Sequence, residues 1–196
     1  MGGLCIGTGN KKAPLAERKD DLYETPACAV TSLLRAEPLP RVIWEPACGP
    51  GAIVRVLRAH GHVVYATDLV DYGSPDQDEA GWDFLLERQL PIEAEAIVTN
   101  PPFKCAAEFV AHALELCPKV VMLLRLAFYE SERRSAILDG GRLARVFVYR
   151  KRLPMMHRAG WEGRKANSGM AFAWFVWDRA HSGPTELRRI SWEAAE

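Results

Sequence analysis

The segment Ile97-Val-Thr-Asn-Pro-Pro-Phe-Lys-Cys105 sets an asparagine, two prolines and an aromatic directly behind a short apolar run. Proline fixes φ and carries no backbone N–H, and the residue before it is pushed out of helical geometry. The chain therefore leaves a buried strand and is held stiffly, displaying the Asn100 amide and the Phe103 ring in fixed positions. That rigidity suits the orientation of a ligand. It also suits a plain strand-terminating turn with Phe103 packed inward.

A second group of residues lies earlier in the chain. The β-rich run Arg41-Val-Ile-Trp-Glu-Pro46 leads into Ala47-Cys48-Gly49-Pro50-Gly51, and the next β-rich run ends at Asp68. Glycines let a backbone turn sharply and let a ligand lie against it. An acid at the end of the following strand can accept both hydroxyls of a ribose. Strand, glycine turn, helix, strand and acid together suggest an adenosine-containing cofactor. A dinucleotide site prefers G-x-G-x-x-G, whereas Val54 and Arg55 occupy the region of the third glycine and Pro50 removes a phosphate donor. Glu45 adds a negative charge that opposes a pyrophosphate and suits a cation. S-adenosylmethionine, with a sulfonium, an ammonium and no phosphate, fits that charge logic. A tight strand–helix connection without a ligand uses the same two glycines.

The elements that must position these groups follow from pattern. Tyr23-Glu-Thr-Pro-Ala27 opens a helix, with Thr25 suited to its N-cap, Pro26 to its first turn, and Val30, Leu33 and Leu34 on its apolar stripe. A second helix runs from the glycine turn to Gly61. A third carries Ala106, Phe109, Val110, Ala113 and Leu114 on one side, and a short fourth, capped by Ser131, spans "SERRSAILDGG". Strands are expected at "RVIWEP", "HVVYATDL", "AEAIVTN", "KVVMLLRLAFY", "RVFVYRKRL" and "MAFAWFVWD", and "VDYGSPDQDEAGW" reads as a loop. Strands alternating with helices predict an α/β fold, a parallel sheet with helices on both faces. The last two strands lack an intervening helix and are expected to form an antiparallel edge hairpin.

Composition sets the outer bounds. The 196 residues suffice for one domain with a real core. Formal net charge is zero, so no global field drives the chain onto nucleic acid or membrane. Acids outnumber bases up to Asn100 and bases outnumber acids beyond it, which allows a local basic face. The five cysteines form no C-x-x-C pair, so neither a disulfide framework nor a zinc site is expected, and the default compartment is a reducing cytoplasm. No apolar run approaches the roughly 18 residues of a membrane span. Residues 1–20 read as a flexible arm and 21–196 as a single domain, with a basic loop at about 150–169.

The order "YETP", "EPACGPG", "ATDL", "DFL", "NPPF" resembles the class I S-adenosylmethionine-dependent methyltransferases. Within them it is similar to the amino-methyltransferases that modify adenine N6 in DNA. Those of phage and prophage origin are closest in size and in "LLRLAFYESERR". The resemblance spans about Asp21 to Asp178, and "NPPF" behind a strand is its most specific motif. It implies a Rossmann-like methyltransferase fold with a mostly parallel seven-stranded sheet and an antiparallel edge hairpin. It further implies S-adenosylmethionine as cofactor, held by Tyr23, Thr25, Pro26, Glu45, Ala47, Cys48, Gly49, Gly51, Asp68, Leu69, Asp83 and Phe84. In that assignment Thr25 and Pro26 lie against the methionine end, Asp68 holds the ribose, and Asp83 accepts from the adenine amine with Phe84 beside the ring. Thr25 suits a helix cap equally, and Phe84 a core position.

The resemblance assigns catalysis to Asn100, Pro101, Pro102 and Phe103. The amine of adenine is a poor nucleophile because its lone pair is delocalised into the ring. The Asn100 side-chain oxygen and the Pro101 carbonyl can accept its two N–H bonds and favour a pyramidal nitrogen. Phe103 can stack on the flat ring. Such orientation can supply roughly 7–11 kcal/mol. Reaching a base in a duplex requires extrusion or a single strand. Arg150, Lys151, Arg152, His157, Arg158, Trp161, Arg164 and Lys165 form a basic, aromatic-bearing loop suited to DNA or RNA. A lid over the cofactor would use the same loop. With no separate target-recognition domain, base readout would fall to this loop in a monomer, or to two copies in a homodimer. No metal site is expected. Methylation of adenine in RNA, of a protein glutamine, and a silent binding module of the same fold are the alternatives.

Overall fold

The computed structural model describes residues 24–154 and 169–193. Among the described residues, eight strands form one sheet: β1 (Val42–Glu45), β2 (Val63–Asp68), β3 (Glu79–Ala80), β4 (Ala96–Thr99), β5 (Lys119–Arg125), β6 (Leu143–Tyr149), β7 (Phe172–Asp178) and β8 (Glu186–Ile190). Their order is β3-β2-β1-β4-β5-β7-β6-β8. Pairing is parallel at every junction except the two that flank β7. The helices are α1 (Ala27–Ala36), α2 (Ala52–Ala59), α3 (Ala106–Leu116) and α4 (Ser135–Leu138).

Strand side chains alternate between faces, and the sequence exploits this with apolar residues on both. Ile43, Val98, Val121, Leu123, Trp174 and Val176 pack with Val30 and Leu33 of α1 and Ile53, Val54 and Leu57 of α2. Their neighbours Trp44, Ile97, Val120, Met122, Phe175 and Trp177 pack with Phe109, Val110 and Ala113 of α3. Three fully buried tryptophans each place the indole N–H on an acceptor: Trp44 on Thr67 Oγ1 at 3.0 Å, Trp174 on the Ala29 carbonyl at 3.1 Å, and Trp177 on the Ile137 carbonyl at 2.7 Å.

Several expectations are corrected. The sheet has eight strands rather than seven. The two that sequence does not reveal are β3, inside the acidic loop, and β8, whose residues are mostly exposed and carry no apolar alternation. The expected edge hairpin is interior: β7 slots between β5 and β6, and β8 covers β6. The long buried strand stops at Arg125, and Leu126–Phe128 form a 3-10 turn. Thr25 does not cap α1. Pro26 occupies the cap position rather than the first turn, and no side chain caps it. Ser131 likewise makes no capping bond; a 3-10 turn, Glu132–Arg134, precedes the single turn of α4.

At the amino end of β5, Glu37 is 2% exposed and is held by Lys119 Nζ at 2.6 Å and by Arg145 Nε and Nη2 at 2.6 and 2.8 Å. This buried ion pair ties α1 to β5 and β6. Among the described residues, no helix is long and apolar enough to cross a membrane, and no His/Cys/Asp/Glu group could hold a metal ion.

Candidate functional site

Parallel strands that share a direction bring their carboxyl ends to one edge. There β1 ends at Glu45, β2 at Asp68, and β4 runs into Asn100. Glu45 is 1% exposed, and its Oε2 has no hydrogen-bond partner among the described residues. Burial, and then the charge of Asp68, push its carboxyl well above the ordinary carboxylate range; Arg58, the Val54 N–H and Arg55 offset part of this.

The glycine turn is built around Asp68. Its Oδ2 accepts the Gly49 N–H at 2.8 Å and its Oδ1 the Val70 N–H at 2.9 Å. The Cys48 N–H goes to the Thr67 carbonyl and the Gly51 N–H to the Cys48 carbonyl, at 3.1 and 2.9 Å. With Pro50 lacking an N–H, the turn from Cys48 to Gly51 has its donors consumed and cannot cradle a phosphate. Asp68 therefore ties the end of β2 both to the glycine turn and to the start of the acidic loop. Burial, and next the Glu45 charge, push the Cys48 thiol up, away from a reactive thiolate.

At Gly51 φ is +88° and a Cβ would lie 2.3 Å from Asp76 Cβ, so the acidic loop lies against it. That loop is pinned to α2: Arg55 Nη1 meets Asp76 Oδ2 at 2.9 Å and Arg58 Nη2 meets Asp78 Oδ2 at 2.8 Å. Farther along, Glu79 accepts from the Tyr65 hydroxyl at 2.6 Å and from Trp82 Nε1 at 2.7 Å. Trp82 thus stands fixed beside Asp83, whose Oδ1 accepts the Leu85 N–H at 3.1 Å. Phe84 is 2% exposed and packs in a ring cluster with Trp44 and Phe109.

On the other side, Asn100 Nδ2 donates to the buried Thr25 Oγ1 at 3.1 Å. The Phe103 ring is covered by the Arg125 guanidinium, 4.2 Å from its centroid, and flanked by Phe172 at 5.8 Å. Glu45, Asp68, Trp82, Asp83, Asn100 and Phe103 border one cleft of about 600 Å³, within the usual range for a small-molecule site. Of the residues expected there, Thr25, Glu45, Ala47, Cys48, Gly49, Asp68, Leu69, Asp83, Phe84, Asn100, Pro101, Pro102 and Phe103 line it. Gly51 does not, and Pro26 lines a neighbouring groove between α1 and α2. Tyr23 lies outside the described residues, as do His157, Arg158, Trp161, Arg164 and Lys165. Arg150, Lys151 and Arg152 are placed; Lys151 and Arg152 are exposed, and Lys151 pairs with Glu193 at 2.8 Å.

The chain superposes on a set of solved structures. The modification subunit of a proposed type I restriction enzyme from Vibrio vulnificus superposes with a TM-score of 0.61 at 14% identity, over 89% of this chain and 48% of that one. The fold is the Rossmann-like methyltransferase fold. The type I restriction-modification methyltransferase subunit from Streptococcus thermophilus gives 0.56 at 12% identity over 84% and 47% of the two chains. A proposed RNA methyltransferase from Pyrococcus horikoshii gives 0.59 at 14% identity over 87% and 91%. The chain spans about half the length of the two modification subunits. No protein-family model matches it, and no curated protein does.

Sequence reading did not find Trp82 or Lys104 in the cleft wall, the clamp of Glu79 on Trp82, the fit of Asp76 against Gly51, or Arg125 on Phe103. One signal was available. Arg55 and Arg58 lie three apart on one face of α2, opposite the acids of "SPDQDE".

Proposed function

We propose that this protein transfers a methyl group from S-adenosylmethionine to an exocyclic amine, with adenine N6 in DNA as the leading substrate. The observation that carries the reading is that a buried, unpartnered Glu45 carboxylate oxygen, the Asp68 carboxylate and the Asn100-Pro-Pro-Phe103 turn all border one cleft. The residues fit the cofactor. A turn whose donors are consumed rejects phosphate, and a buried acid favours a cation. In that site Glu45 would face the cationic end, Asp68 would accept the ribose hydroxyls, and Trp82, Asp83 and Leu85 would border the adenine. The cofactor supplies an electrophilic methyl on sulfur.

The chain's own residues would handle the acceptor. The Asn100 Oδ1 and the Pro101 carbonyl accept the two N–H bonds of the amine, draw electron density toward nitrogen and fix its lone pair in line. Phe103, with the Arg125 guanidinium over its ring, borders the same cleft and would orient a planar substrate ring. No side chain needs to form a covalent intermediate, which agrees with the raised Cys48 thiol. Lys104 at the cleft, with Arg150 and Arg152 beyond it, supports a polyanionic substrate over a protein glutamine.

Both restriction-modification and RNA-methyltransferase names occur among the structures that share the fold, so the experiment must offer every acceptor. Cells expressing the protein are fed methyl-labelled methionine, and DNA, RNA and protein are digested and analysed by mass spectrometry. Label on N6-methyladenine in DNA is expected, lost on the order of 10²-fold or more in Asn100→Ala. Label confined to protein, or full transfer by Asn100→Ala, would refute the reading.

A further inference from the structure

The nitrogen end of the Asn100 amide is already committed: Nδ2 donates to Thr25 Oγ1 at 3.1 Å, across 75 positions of chain. Thr25 is 5% exposed and makes no cap to α1. Its hydroxyl is therefore not employed by the helix it precedes. It is aimed at the residue on which the proposed chemistry depends. From this bond we infer that Thr25 is a positioning residue for Asn100, rather than only a wall of the cofactor site. The inference rests on the methyl-transfer reading above.

The physical reason lies in the symmetry of a carboxamide. Its oxygen and nitrogen ends have nearly the same shape but opposite hydrogen-bonding character. An acceptor amine presents two N–H donors, so only the oxygen end can receive it; the nitrogen end would set donor against donor. Turning the oxygen toward the amine drives the NH₂ group the other way, into buried surroundings. A buried donor without an acceptor is costly. A hydroxyl at that spot accepts it and makes the productive orientation the comfortable one. Valine in place of Thr25 would fill the space but remove the acceptor that Nδ2 uses when the amide points correctly. Serine would serve as well as threonine.

The test compares Thr25→Val and Thr25→Ser with the parent in steady-state methylation of an adenine-containing duplex. Cofactor binding is measured separately by calorimetry. Base extrusion is followed through the fluorescence of 2-aminopurine, which lacks the 6-amine and so does not need the amide oxygen. In Thr25→Val, kcat is expected to fall on the order of tenfold to a hundredfold, the range that loss of one buried hydrogen-bond acceptor corresponds to. Cofactor Kd and the extrusion signal should stay within about twofold. Thr25→Ser should recover most of kcat. In an Asn100→Ala background the Thr25→Val change should add nothing to the residual rate, since two parts of one device are not additive. A cofactor Kd that weakens in step with kcat would overturn the inference and return Thr25 to a cofactor contact. So would full kcat in Thr25→Val, failure of Thr25→Ser to recover, or additivity with Asn100→Ala. Absence of transfer by the parent protein on DNA, RNA and protein alike would instead remove the methyl-transfer reading itself.

Discussion

Replacing Glu45 by glutamine tests the electrostatic core of the site. The Glu45 carboxyl is fully buried, lacks a partner on Oε2, and is pushed well above the ordinary range by burial and by Asp68. In the unfolded chain it titrates near about 4.3. Between that value and its raised folded value the folded protein binds the extra proton, so stability without ligand falls as pH rises through the window. A cation seated on the carboxyl reverses the preference. Cofactor binding must then expel the proton, approaching about one per site, and affinity climbs about tenfold per pH unit while the free protein is mostly protonated, or about 1.36 kcal/mol. Glutamine keeps the shape but has no charge to offer. Losing a hydrogen bond to a charged group costs about 1.5–3 kcal/mol, which weakens S-adenosylmethionine roughly 12- to 150-fold. The assay is titration calorimetry at one pH in two buffers of different ionisation enthalpy, which counts protons directly. Protons taken up by the cofactor's own amine appear equally in both proteins and cancel. Equal proton counts in the parent and Glu45→Gln, with affinities within twofold, would refute the placement of the cation at Glu45.

Two further outcomes concern the frame around the site. Gly51→Ala forces a non-glycine residue to φ +88° and drives its Cβ to 2.3 Å from Asp76 Cβ; backbone strain of about 1–2 kcal/mol plus displacement of the acidic loop should cost about 3 kcal/mol by urea unfolding, and an unchanged midpoint would show that the loop is not seated on the turn. Glu37→Gln strands Lys119 and Arg145 beside a buried neutral amide and should destabilise the fold by about 3 kcal/mol while leaving cofactor affinity unchanged, because the triad lies at the opposite edge of the sheet; a matching loss of affinity would contradict that separation.

What the sequence made legible was what local physics decides. The buried strands β1, β2, β4, β5 and β7 are apolar on both faces because helices cover both, and such runs are visible without a structure. The residues at their carboxyl ends could be assigned to one edge because parallel strands share a direction. The misses are all tertiary. β3 is two residues long and forms only because Asp78 is fastened to Arg58 and to the Ala66 N–H. β8 is exposed and exists only by pairing with β6. The closeness of Asp76 to Gly51 is likewise invisible in the letters of the turn. Thr25 and Pro26 form a plausible cap box in isolation, but the hydroxyl finds a better-placed donor in Asn100.

The protein buries two glutamates almost equally, Glu37 at 2% and Glu45 at 1% exposure, and treats them in opposite ways. Glu37 is ringed by an ammonium and a guanidinium, as an ionised carboxylate in a protein interior requires. Glu45 has no cation in contact among the described residues and keeps one oxygen without a partner beside a second acid. An apolar residue at the end of β1 would remove that cost, and the adjacent Trp44 and Ile43 show that the strand accepts them. The first carboxylate is explained by the packing it joins. The second has no such partner among the described residues, and the methyl-transfer proposal accounts for it by positive charge brought to the carboxyl edge, next to a turn whose N–H groups have already been consumed. On that proposal a phosphate cofactor fails on both counts and a sulfonium with an ammonium satisfies both, which places the selectivity of the proposed site in the mismatch that Glu45 leaves open.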